Sequence, residues 1–383
     1  MSDGVDFYRH QLGDEELESF TETLRSLFLT TGPRTKAFED ALAERLGVDH
    51  VVGVSSCTAG LFLSLGALDI GPGDEVITTP MTFIATSNTV LHAGATPVFV
   101  DVEPTTGNLD VANVEAAITE RTKAVMPVHL YGQMVDMKAL RALCDARGLS
   151  IIEDAAHAVE AERDGAKPGQ LGDTAAFSFY ATKNVSCGEG GAIAVRDEEL
   201  AERLRRLRNH GMSKDAYGRY HGSYRHWDMV DLGFKANLPD VLSSLLLPQL
   251  AKIDAKREAR AALHAAYADA LAPLVERGLV AIPEVCADSV HSHHLYTVWV
   301  APERRDAILS HLQKASVGVA VNYRAVHLLT WYRERFGFER GVFPHAERIG
   351  DSTLSLPFYP TMDPAEVPTV VRHLSDALGL DGA

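Results

Sequence analysis

The stretch FSFYATKNVSCGEGGAIAV, residues 177–195, places Lys183 between two apolar runs that read as strands. At the carboxyl edge of a sheet, where α/β proteins bind ligands, a partly desolvated amine loses its proton and attacks carbonyls. On a surface loop it is an ordinary solvated lysine. Asp154 ends the apolar run in IIEDAAHA. A carboxylate there either holds a protonated heterocyclic nitrogen or caps a following helix. In SSCTAGLF, Ser55, Ser56 and Thr58 lie between a strand pattern and a helical one. Hydroxyls and free N–H groups at a helix start bind anions, and the same residues serve as plain caps. Phe83 follows another strand pattern and suits either a stack on a planar ligand or core packing. The glycines 188, 190 and 191 enter a strand, which excludes a dinucleotide fingerprint. His291, His293 and His294 in HSHHLY lack accompanying cysteines or carboxylates, so no metal is expected. Strand alternation would put His291 and His293 on one face.

Such groups need a scaffold that brings strand ends together. β-branched runs beginning at His50, Glu75, Thr96, Ala124, Leu149, Thr174 and Gly191 alternate with helical patterns from Thr58, Ser87 and Asp136. That order predicts a mostly parallel sheet covered by helices on both faces. A helix is expected from Asp197. A long one is expected from Ser243, bent at Pro248. It leads into a smaller α+β unit with strands near His294 and Val319. The division expected is residues 1–250 and 251–383.

The 383 residues are 46% hydrophobic and 23% charged, enough for two packed cores. The net charge of −16 argues against nucleic acid and anionic membranes as partners. The four cysteines are widely spaced, as in a reduced cytoplasmic protein. The acidic start is no signal peptide, and no apolar run approaches a membrane span.

These motifs, in their order, resemble the sugar-nucleotide aminotransferases of the DegT/DnrJ/EryC1/StrS group. The likeness runs from TTGPRTKAFEDALAERLGV and IGPGDEVITTPMTFIAT through VFVDVEPTTGNLD and EDAAHA. It continues through FSFYATKNVSCGEGGAI and GFKANLPDVLSSLLLPQL to FPHAERIGDSTLSLPFYP. The resemblance implies the type I fold of pyridoxal phosphate (PLP) enzymes, with a seven-stranded sheet and a small C-terminal domain. It implies PLP on Lys183, with pyridoxamine phosphate as the alternate form, and Asp154 on the ring nitrogen. Cys57, Thr58, Ala59 and Ser178 fall at the phosphate, Phe83 on the ring face, and His157 near the 3-oxygen. The loop departs from the family's SGTAAL at Cys57 and Gly60. Asn237 would reach the phosphate of a partner subunit, so the site is shared in a homodimer. Tyr323, His327, His293 and Tyr296 become candidate sugar contacts; a diphosphate also needs basic side chains in this acidic protein, and Arg225 and Lys235 are candidates. The implied reaction passes an amino group from glutamate to a nucleoside-diphosphate keto sugar in two half-reactions. Lysine at 183 sets the chain apart from a dehydratase branch that carries histidine there. GEGG and KANLPD resemble enzymes acting at C4. A C3 enzyme, or a non-catalytic PLP-binding regulator, is the alternative.

Overall fold

The computed structural model describes residues 4–213 and 226–380. Seven strands form the central sheet: β1 (His50–Val54), β2 (Glu75–Thr78), β3 (Thr96–Phe99), β4 (Thr122–Met126), β5 (Ser150–Asp154), β7 (Thr174–Ser178) and β8 (Gly191–Val195). Outside the sheet, β6 (Glu162–Arg163), which falls between β5 and β7 in the chain, pairs antiparallel with β9 (Ser289–Val290). The spatial order is β1-β8-β7-β5-β4-β2-β3. All neighbours are parallel except β8, which runs against both β1 and β7. The strands are buried along almost their whole length, because helices cover both faces. Ser178 at the end of β7 is only partly buried.

Helix Cys57–Ala67 follows β1 directly, and its N-cap Ser56 accepts the N–H of Ala59. Helix Pro33–Leu46 begins behind a glycine with no capping side chain of its own. Asp240 supplies the cap from far along the chain. Its carboxylate accepts the N–H groups of Gly32 (2.8 Å), Arg34 (3.1 Å) and Thr35 (2.9 Å).

The helix expected from Ser243 is three pieces: Asp240–Ser243, Leu247–Ala251 and Ile253–Glu276. Pro248 lies in the first turn of the middle piece, where its missing N–H costs nothing. The long third helix joins two cores. Ile253 packs in the core of the large sheet, while Leu263, Tyr267, Leu271 and Leu274 pack in a second. There β10 (Tyr296–Trp299) pairs antiparallel with β11 (Thr353–Leu356). Helices Arg305–Lys314 and Val367–Ala377 complete this core. The strand expected from Val319 is not formed. Ala320 makes a single bridge to Ser355, and the chain then turns through Val326–Leu328. The first described residues return to this second core. Val5 bridges Val317, and Gly318 lies so close that an added Cβ would sit 2.3 Å from the Phe7 nitrogen. Among the described residues, no helix is long and apolar enough to cross a membrane.

Candidate active site

A cavity of about 500 Å³ opens where β1, β5 and β7 end. Cys57, Thr58, Phe83, Asp154, His157, Ser178, Lys183 and Tyr323 all line it. Residues that lie up to 267 positions apart, from Ser56 to Tyr323 (323 − 56), thus share one space.

Lys183 sits in the turn between β7 and β8, its N–H bonded to the Tyr180 carbonyl at 2.9 Å. Its amine lies 3.5 Å from His294 Nε2. Burial lowers its pKa from 10.5 to about 8, while Cys57 and Asp154 act in the opposite direction. The surface-lysine reading is therefore not realised.

No helix follows Asp154, so it is not a cap. Its Oδ2 accepts the Thr86 hydroxyl at 2.8 Å, and its Oδ1 accepts the Ala156 N–H at 3.2 Å. Thr82 in turn contacts Thr86 at 2.7 Å. Each carboxylate oxygen retains acceptor capacity for a ligand. Cys57 Sγ lies 3.8 Å from Oδ1 and 3.4 Å from the Ala176 carbonyl. Burial holds that thiol well above its usual range, so it stays protonated beside the carboxylate.

His157 accepts the Tyr131 N–H at Nδ1 (3.2 Å), which leaves its proton on Nε2, 3.1 Å from the Tyr323 hydroxyl. Burial, and then Lys183, keep this imidazole neutral. Phe83 is 54% exposed and tilts against Tyr323 at 5.7 Å, so it faces the cavity rather than the core. The N–H groups of Cys57 and Thr58 meet no protein acceptor among the described residues. With the Thr58 and Ser178 hydroxyls they form an anion-binding end to the cavity. Gly191 makes this end possible: an added Cβ would lie 2.4 Å from the Ser56 carbonyl carbon.

Several expected contacts fall elsewhere. The Ala59 N–H is used by Ser56 Oγ at 3.0 Å, and Ala59 does not line the cavity. His327 is fully buried, paired with Glu347 at 3.1 Å and packed on Phe343. Tyr296 is 1% exposed and stacks on Tyr267 in the second core. His293 packs against His264 and His291, away from the cavity. These last two fail for one reason. His293 has a positive φ of 48° and strand geometry begins only at Tyr296, so the alternation expected from His291 is broken. The residue turned inward is His294. Asn237 donates to Thr31 Oγ1 at 2.6 Å and does not line the cavity of its own chain. Lys235 is exposed and also absent from the lining; Arg225 lies outside the described residues.

An amine depressed toward neutrality, a carboxylate with spare acceptors, an aromatic face and an anion-binding helix start suit a flat aldehyde that carries a phosphate and a basic ring nitrogen. The residues present therefore fit PLP. The sequence profile of the DegT/DnrJ/EryC1/StrS aminotransferase family matches residues 10–375. The chain belongs to that family, and it is a PLP-dependent sugar aminotransferase.

Its relatives include the spore coat polysaccharide biosynthesis protein SpsC of Bacillus subtilis, 42% identical over 372 residues and 95% of each chain. The aminotransferase TlmJ of Streptoalloteichus hindustanus superposes with a TM-score of 0.90 at 34% identity, over 98% of this chain and 99% of that one. DesV of S. venezuelae, solved with a ketimine intermediate, gives 0.86 at 37% identity, over 96% and 98%.

Proposed function

We propose that this enzyme moves an amino group from L-glutamate to C4 of a keto sugar carried on UDP or dTDP. The observation that carries transamination is the convergence of Lys183 and Asp154 in one cavity with an anion-binding end. The C4 position is supported by GEGG, whose Glu189 and Gly190 line the same cavity, and by KANLPD around Asn237. A sugar destined for a polymer accords with SpsC being a spore coat polysaccharide biosynthesis protein.

When bound, PLP supplies an electron sink for the charge left on a deprotonated substrate carbon. Asp154 holds the proton of the ring nitrogen, and Thr86 and the Ala156 N–H fix the carboxylate that does so. Lys183 Nζ would hold the cofactor at its carbonyl carbon, with loss of water, and as a free amine it is placed to take a proton from the donor's α-carbon and to return one to the sugar carbon. Ser178, Thr58 and the free N–H groups of the first helical turn hold the phosphate. Phe83 and His157 confine the ring, with His157 toward the 3-oxygen. Tyr323, hydrogen-bonded to His157 at the cavity wall, would meet the sugar. Asn237 would complete the phosphate site of a second copy, with each subunit finishing the other's.

The test is the visible absorbance of the PLP-loaded enzyme. L-Glutamate should bleach it, and a nucleotide 4-keto sugar should restore it. Restoration by 3-keto sugars alone overturns the C4 assignment. Indifference to glutamate overturns the donor.

A further inference from the structure

Behind Lys183 lies a line of polar groups that the reaction described above does not use. His294 is 6% exposed and tilts against His157 with ring centroids 4.4 Å apart. Its Nε2 faces the lysine amine at 3.5 Å, and its Nδ1 faces Asn184 Oδ1 at 3.1 Å. Asn184 is the residue next to the lysine, and its amide has no freedom to flip. Nδ2 has the Glu160 carboxylate at 2.7 Å and the Ser292 carbonyl at 2.9 Å, both acceptors only. Glu160 is anchored in turn by Arg260, by the hydroxyl of Ser292 at 3.2 Å to its N–H, and by burial. Arg260 also donates to the Ser292 carbonyl at 3.2 Å.

Read from the buried ion pair outward, each partner dictates the next. Two acceptors fix Asn184 Nδ2 inward, so Oδ1 must face His294. An acceptor facing Nδ1 requires a proton there. A neutral imidazole with its proton on Nδ1 has a bare lone pair on Nε2. We infer that Arg260, Glu160, Asn184 and His294 form a relay that holds His294 as the neutral Nδ1–H tautomer, so that Nε2 accepts an N–H of Lys183 and leaves the amine lone pair facing the cavity. His294 is thus a positioning residue for the nucleophile, and Asn184 sets its tautomer. The opposite tautomer would set a bare Nδ1 against Asn184 Oδ1 and turn Nε2–H onto the lysine, drawing the amine lone pair away from the cavity. Burial, and then the neighbouring Lys183, disfavour an imidazolium at this position. The inference rests on Lys183 as the nucleophile, but its test does not depend on turnover.

Long-range nitrogen correlation spectra of the full-length protein, labelled in its histidine rings, read the tautomer directly. His294, identified by the signals lost in His294→Gln, should show a protonated Nδ1 and a bare Nε2 at neutral pH. Asn184→Leu should shift the population to the Nε2–H form. A protonated Nε2 in the unaltered protein overturns the relay. Potassium cyanate, which carbamylates neutral amines, gives a second reading on cofactor-free protein, with Lys183 resolved by peptide mass. A neutral acceptor favours the charged amine, so His294→Leu should lower the midpoint pH by about one unit, a tenfold change in proton affinity. His294→Gln, whose amide oxygen can accept the same N–H, should restore it. Equal midpoints in all three proteins overturn the inference. Normal turnover by Lys183→Ala would instead remove the reading on which it rests.

Discussion

Lys183 gives up its proton near pH 8 because the cavity wall strips water from it, and two consequences can be measured. Cofactor-free enzyme should react with aldehydes about tenfold faster per pH unit up to roughly pH 8, then level off. The same depression bears on stability. Between pH 8 and 10.5 the unfolded lysine holds a proton that the folded one has lost, so folding gains as pH rises through that window. The charged amine therefore opposes folding most below pH 8. Lys183→Met should melt higher than the unaltered cofactor-free protein at pH 7, with the gain shrinking by pH 10. Lys183→Ala should abolish transamination, and assay of both half-reactions checks this. Asp154→Asn should keep binding PLP yet slow turnover by at least about a hundredfold, the scale of losing one well-placed electrostatic group. Asp154 and Lys183 were legible because each closes or follows an apolar run, and strand ends meet at one sheet edge. His294 was not, because nothing in HSHHLY announces the backbone turn at His293 that reverses which histidine faces inward.

At the scale of elements, the alternation of strands and helices carried most of the sheet, and chain breaks carried least. Pro248 marked an interruption, but only packing decides that the helix restarts twice around it. The run from Val319 has strand-like composition, yet it meets β11 at Ala320 alone and turns away to frame the cavity with Asn322 and Tyr323. Asp240 was likewise hidden, since a cap supplied from 205 residues away leaves no local signature. Asp240→Ala leaves three backbone N–H groups and the Thr35 hydroxyl without this acceptor. The expected cost is about 2 kcal/mol, the upper range for losing a helix cap, read as a lower urea midpoint at unchanged slope. Because Asp240 shares its segment with Asn237, the variant should weaken PLP binding as well.

For the whole molecule, the proposed sharing of Asn237 ties cofactor affinity to association. Asn237→Ala should raise the PLP dissociation constant, and dilution below the dimer's own dissociation constant should do the same to the unaltered enzyme. A monomer with full activity in sedimentation and assay overturns the shared site. The route of the chain through the second core has a consequence for how the protein is made. Val5 and Leu374 lie in the same apolar cluster, although 369 residues separate them (374 − 5). Translation at roughly 5–20 residues per second puts on the order of 20–70 s between their emergence from the ribosome. For that interval the segment around Val5 is in the cell with its place still unwritten. Whatever shields Val5, Phe7 and Tyr8 while the message is being read becomes a determinant of yield, separate from the stability of the finished enzyme.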